Sequence, residues 1–122
     1  MTAARYDITI DQGSDFSLEL IVKESGDAKN FSVANGNTWG ARAKFRKTLE
    51  DTTSYNLGAA VTQDDTGKLV ITHAFSDNTD APAGTYMYDV EIFQHTTGDI
   101  SAVHQVTRLL SGNLTLRREV TR

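Results

Sequence analysis

Ala83-Gly84-Thr85-Tyr86-Met87-Tyr88-Asp89-Val90-Glu91-Ile92 is the stretch whose reading decides the fold. A small-residue turn runs straight into alternation. Tyr86, Tyr88, Val90 and Ile92 fall on one side, and Met87, Asp89 and Glu91 on the other. A period of two puts successive side chains on opposite faces of a strand. Aromatic and β-branched residues suit a pleated, half-buried surface. Pro82 sits just ahead, where it cannot interrupt a ladder of hydrogen bonds. The spacing predicts a strand from Thr85 to about His95, ended by a hairpin-type turn at Thr96-Thr97-Gly98-Asp99.

The same period recurs on both sides of this stretch. Tyr6 to Ile10 reads as a short first strand, and Phe16 to Lys23 as a second with Phe16, Leu18, Leu20 and Val22 inward. Only Ile21 breaks that pattern. Trp39, Ala41, Ala43 and Phe45 share one side of a strand whose other side carries Arg42, Lys44 and Arg46. An apolar inner face and a wet cationic outer face are what an antiparallel sheet with one solvated side requires. A helix over Ala41 to Leu49 would not separate these groups at a period of 3.6. Tyr55 to Val61 is a weaker strand softened by Gly58, and Lys68 to His73 a further one. Ser101 to Leu110 and Asn113 to Arg118 complete the set, with Gly112 marking a bulge in one strand or a break between two. Residues Ala28 to Thr38 read as loop, with Phe31 and Val33 forming a small satellite contact. Phe75 to Pro82 reads as a polar link with room for one short helical turn at Ser76 to Thr79. Seven or eight short strands at this turn spacing predict an all-β sandwich or barrel in one domain, residues 1–122.

Composition narrows the function. Hydrophobic residues are 39% and charged residues 23% of the 122, ordinary values for a globular chain. The formal net charge is −4, so a phosphate-neutralising surface and a nucleic-acid partner are not expected. There are no cysteines, which excludes thiol chemistry, disulfides and thiolate zinc sites and favours an intracellular origin. Met1 to Ile10 carries Arg5 and Asp7 and is not a signal peptide. No apolar run approaches the roughly 20 residues of a membrane helix, so no membrane partner is expected.

Residues that might carry chemistry are dispersed. His73, His95 and His104 fall on separate predicted strands and read as polar surface residues, although His95 and His104 flank the Gly98 turn and are placed to approach across it. No metal-ligand spacing connects them. Asp64-Asp65-Thr66-Gly67 lacks the alternating carboxylates of a calcium loop and reads as an Asx turn. Asp77 and its neighbours are suited to local amide capping. Asp89 and Glu91 share a face about 7 Å apart, but a same-strand pair on a wet face is normally just solvated. No Gly-x-Ser-x-Gly elbow occurs. No catalytic residue, cofactor or metal is expected. Trp39, Tyr86 and Tyr88 read as core aromatics. The competing reading makes exposed Trp39, Tyr55 or Tyr88 stacking platforms for a carbohydrate. Met87 and Phe93, on the same side as Asp89 and Glu91, suggest partial cover by a partner protein or scattered surface apolar residues.

Three segments, taken in order, resemble one family: the small immunoglobulin-like domains of bacteriophage tail and baseplate proteins. They are Ile10-Asp11-Gln12-Gly13-Ser14-Asp15-Phe16; Ala81 to Val90, close to a Pro-Ala-Gly-x-Tyr-x-Tyr-Asp pattern; and Val106 to Leu116 followed by Glu119-Val120-Thr121-Arg122. Ala43 to Lys47 matches a looser apolar-basic strand pattern. The resemblance is to the N-terminal domains of baseplate upper proteins and receptor-binding proteins. It implies an immunoglobulin-like antiparallel β-sandwich of seven or eight strands. It further implies a non-enzymatic virion adaptor, made in the host cytoplasm and docked on other virion structural proteins in symmetric multiple copies. Because the chain ends where the domain does, a stand-alone virion component is expected. Head decoration and neck proteins are the alternative location.

Edge strands offer unpaired amides that a neighbour extends by strand addition. The expected edges are the first strand, with Tyr6, Ile8 and Ile10, and the last, with Leu114, Leu116, Arg117, Arg118 and Arg122. The arginine cluster there otherwise reads as a solvated strand end. Trimming Glu119 to Arg122 is expected to weaken incorporation rather than folding.

Overall fold

The computed structural model describes residues 4–48, 50–74, 76–78 and 80–118. Ten strands run in chain order: β1 (Ala4–Arg5), β2 (Ile8–Asp11), β3 (Phe16–Ile21), β4 (Lys23–Glu24), β5 (Asp27–Ala28), β6 (Asn37–Arg46), β7 (Tyr55–Val61), β8 (Lys68–His73), β9 (Gly84–Thr96) and β10 (Asp99–Arg117). No helix occurs among the described residues. Ser76 to Asn78 lies in a hydrogen-bonded turn, with Asp77 N–H donating to the Ala74 carbonyl.

Eight strands form one curled sheet in the order β1-β10-β9-β6-β7-β8-β3, with β2 also paired to β10. The curl turns a single hydrogen-bonded path into two layers. Strand β7 makes the corner. Its first half, through Leu57, pairs with β6, and its second half, from Gly58, pairs with β8. Strands that change layers in this way make the corners of sandwiches. Gly58 sits at the crossing, where a Cβ would lie 2.3 Å from Thr72 Oγ1. The fold is all-β and sandwich-like.

Two expectations are corrected here. The sheet is mixed, because β1 and β2 both run parallel to β10. A parallel pair needs a long crossover, and the whole of the sandwich lies between these strands in sequence. Strand number also differs. The first strand is interrupted at Tyr6-Asp7, Lys23 to Ala28 folds into a two-stranded ribbon (β4–β5), and Gly112 lies inside one unbroken strand.

The core fills the space between the layers. Ile8, Ile10, Phe45, Leu69, Ile71, Tyr86, Val90, Ile92, Leu114 and Leu116 are all buried in one cluster. Phe31 belongs to this main core rather than to a satellite, and Val33 is exposed. Phe45 is the aromatic hub, stacked on Tyr55 at 5.2 Å and edge-on to Tyr86 at 5.0 Å between ring centroids. The Tyr86 hydroxyl donates to the carbonyl of Pro82, four residues upstream. This bond ties the start of β9 to the turn that precedes it.

His73, read as a surface residue, is buried on β8 opposite Phe16. Its Nε2 accepts from Asn78 Nδ2 at 3.2 Å, and its Nδ1 has no partner among the described residues. Burial lowers its pKa, and nearby Asp77 opposes this in part. A folded-state pKa below the unfolded value means that the unfolded chain binds the proton first. This contribution is therefore complete above about pH 6.5, the ordinary histidine value, and is lost as the pH falls through the folded pKa. Asp11, Glu24, Asp64 and Asp99 are held below the usual carboxylate range by hydrogen bonds, so their contributions fade only at more acid pH. The urea midpoint is expected to fall between pH 7.5 and pH 5, and His73→Leu is expected to flatten that decline. An equally steep decline in the variant would refute the assignment.

Candidate functional site

The two strand ends expected to receive a partner pair with each other, which leaves β1 and β2 at the margin of the sheet, as expected, and covers the end of β10. Strand β10 carries β9 on one edge and β2 on the other from Leu114 to Arg117. Ile8, Ile10, Leu114 and Leu116 point into the core and are unavailable to a partner. Arg117 is exposed, but its Nε donates to Asp11 Oδ1 at 2.6 Å across the parallel pair. Tyr6 is exposed, and its backbone carbonyl is tied to the Tyr88 hydroxyl. Arg118 is exposed just beyond β10. Arg122 and the segment Glu119 to Arg122 lie outside the described residues. Alternation told which side chains point inward but not which strands pair.

The open part of β10 is its first half. From Asp99 to Leu109 its one partner among the described residues is β9, since the pairing with β1 begins at Leu110. β9 and this half of β10 form a long hairpin arm. Three irregularities shape it. Residues 100–102 loop out between the pairs Asp99–Thr96 and Val103–His95. His104 is an extra residue between the pairs of Val103 and Gln105, and Leu109 another between those of Arg108 and Leu110. A one-residue bulge reverses the facing of everything beyond it. The His104 bulge therefore places Val103 and Val106, three apart in sequence, on the same outer face as His95 and Phe93. The Leu109 bulge lets Leu109 and Leu110 both pack against the core.

The arm thus presents apolar side chains to solvent: Ile100 is 68% exposed, Val106 45% and Val103 40%. Phe93 and His95 beside them are buried, which corrects the surface reading of both. Phe93 lies over Gly40, where a Cβ would come within 2.7 Å of its ring, and Arg42 stacks on it at 5.0 Å. His95 and His104 both contact Thr96. His95 Nδ1 contacts the Thr96 carbonyl, while His104 Nε2 lies 2.7 Å from Thr96 Oγ1.

Adjoining the arm, the outer face of β6, β9 and β10 forms an open groove of about 630 Å³. Arg5, Arg42, Lys44, Arg46 and Arg108 line it together with Asp89, Glu91 and Met87. Glu91 pairs with Arg42 at 3.0 Å and Asp89 with Arg108 at 3.5 Å, so both carboxylates are matched by arginines. Arg5 reaches Asp7 at 3.4 Å, Arg46 donates to the Asp51 carbonyl at 3.2 Å, and Lys44 has no ion-pair partner among the described residues. The groove is locally cationic on a chain of net charge −4.

Of the three aromatics read as sugar platforms, Tyr88 is buried, and Trp39 and Tyr55 are half-buried. Tyr55 is stacked on Phe45, and Trp39 has Lys29 Nζ 4.5 Å from its ring centroid and Phe31 against it. The Asx turn at Asp64 is present, with Thr66 N–H donating to Asp64 Oδ1 at 2.9 Å. Asp77 Oδ2 accepts from Ala74 N–H at 3.0 Å, a local cap. Among the described residues no three His, Asp or Glu side chains are placed to hold a metal ion. No protein-family model matches this chain, and no curated protein matches it either.

Proposed function

We propose that this chain is a non-enzymatic virion structural protein of a bacteriophage, an assembly module of the tail or baseplate that docks on neighbouring virion proteins. One observation supports the docking role above the others: the β9–β10 arm projects Ile100, Val103 and Val106 into solvent beside an open strand edge. Isolated exposed apolar residues are ordinary, but three on one arm, with Val103 and Val106 on the same face, offer apolar surface that contact with a partner would dry. The bulges twist this edge and discourage indiscriminate strand pairing, so docking is by the side chains of the arm. Repeated copies around a symmetry axis would sum many small contacts into firm attachment.

Incorporation tests the reading. Particles of a phage encoding the chain are expected to contain it in several copies when purified and measured by quantitative mass spectrometry. A V103D/V106D double variant keeps both side chains in solvent in the free chain and buries charge in the docked one. Its circular dichroism and melting temperature are expected to match the parent, while its incorporation falls on the order of tenfold, equivalent to about 1.4 kcal/mol. Particles devoid of the chain, or full incorporation of the variant, would overturn the proposal.

A further inference from the structure

We propose that the cationic groove on the outer face of β6, β9 and β10 binds an extended acidic segment of a partner protein. This deepens the assembly reading by naming the chemistry of the neighbour, and it rests on that reading for its biological setting. Three observations carry it. First, the charge is local: Arg5, Arg42, Lys44, Arg46 and Arg108 converge on one groove of a chain whose net charge is −4. A low-dielectric concavity in which one sign of charge predominates, here five basic against two acidic side chains, focuses its field on a ligand of the opposite sign. Second, the spacing fits. Arg42, Lys44 and Arg46 stand at alternate positions of β6, about 7 Å apart along one face. An extended peptide carries alternate side chains at the same interval, so carboxylates at every second residue meet these cations in register.

Third, the groove is not built for a uniform polyanion. Asp89 and Glu91 sit between the basic residues and would repel a continuous phosphate backbone. A peptide lying along β6 can hold its carboxylates over Lys44 and Arg46 and keep them off Asp89 and Glu91 on the neighbouring β9. Met87, 41% exposed and opposite Arg46 across the β6–β9 pair, supplies a flexible apolar contact at one end. The expected ligand therefore has glutamate or aspartate at alternate positions and one apolar residue at an end.

The test uses the full chain and three probes: a synthetic eight-residue peptide with alternating glutamates and a terminal leucine, its glutamine counterpart, and a single-stranded oligothymidylate of equal charge. Fluorescence anisotropy is expected to show saturable binding of the glutamate peptide, weakened by added salt. The glutamine peptide should not saturate, and the oligonucleotide should bind at least tenfold more weakly. Lys44→Glu is expected to weaken the peptide about tenfold. Arg46→Glu should do the same with an unchanged circular dichroism spectrum, since among the described residues its side chain makes one hydrogen bond, to the half-buried Asp51 carbonyl at 3.2 Å. V103D/V106D should leave peptide binding intact, which separates this proposal from the role of the arm. Absence of saturable binding, equal binding of the oligonucleotide, or indifference to Lys44→Glu would each overturn it. Peptide binding by a chain that never enters particles would leave this inference standing and refute only the virion setting.

Discussion

Phe45→Ala is expected to cost about 3–5 kcal/mol, the range for removing a fully buried aromatic ring. Phe45 stands on β6 with β7 on one side and β9 on the other, opposite Tyr55 and Tyr88 in the two ladders. Its ring stacks on Tyr55 and meets the face or edge of Tyr86, so truncation removes two aromatic contacts besides the buried area. Such pairs contribute about 0.5–1.5 kcal/mol beyond burial. The rings sit at the corner where β7 leaves one layer for the other, and neighbouring strands have little freedom to close the cavity. Against a typical domain stability of about 5–15 kcal/mol, the loss is large enough to leave a substantial unfolded fraction. Urea denaturation followed by tryptophan fluorescence measures it. Phe45→Leu should lose less than half as much, and an alanine variant within about 1.5 kcal/mol of the parent would show that the site collapses freely.

Gly112→Val is expected to detach the N-terminal strand pair at a cost of about 1–3 kcal/mol from overpacking. A Cβ at Gly112 would lie 2.5 Å from the Tyr6 carbonyl oxygen and 2.8 Å from Asp7 Oδ1. Both atoms are engaged. The Tyr6 carbonyl accepts the Tyr88 hydroxyl, and Asp7 Oδ1 accepts the Asn113 N–H at 2.9 Å. The chain between β1 and β2 therefore presses into the one gap in β10 that lacks a side chain. Filling that gap pushes Tyr6 and Asp7 out and breaks both bonds, each contributing about 1 kcal/mol. Hydrogen exchange should accelerate at the Tyr6 and Gln12 amides, which donate to the Ser111 and Arg117 carbonyls in the parent. A second readout is chemical. Burial, with the Asp7 charge adding to it, pushes the Tyr88 hydroxyl up to about 12. In the variant its ultraviolet titration should move back toward the ordinary tyrosine value of about 10, with Tyr88→Phe identifying the signal. Unchanged exchange and an unchanged titration would refute this account of Gly112.

Much of the architecture was readable before any coordinates. Tyr55 to Val61 and Lys68 to His73 are strands with the bounds that alternation assigns, and Tyr86, Tyr88, Val90 and Ile92 face the core as their spacing requires. The cationic face of β6 was equally visible in Arg42, Lys44 and Arg46. The candidate surface was not. Its apolar half depends on bulges at residues 100–102, His104 and Leu109, and nothing in Asp99 to Leu110 marks where the partner strand skips a residue. Val103 and Val106 look three apart and unrelated until the bulge aligns them. Phe31, in a run rich in asparagine and glycine, reads as a satellite contact, and nothing local shows that it belongs to the main core.

The amino-acid order thus settled where most of the long strands run and, away from the bulges, which way their side chains face, because both follow from backbone geometry within a few neighbouring residues. Which strands lie side by side, that β2 joins β10 in parallel, and how much of β10 stays uncovered were settled by contacts between residues up to 106 positions apart, as in Asp11 with Arg117. Those contacts depend on how two layers close over a shared interior, and no local pattern of side chains encodes that closure.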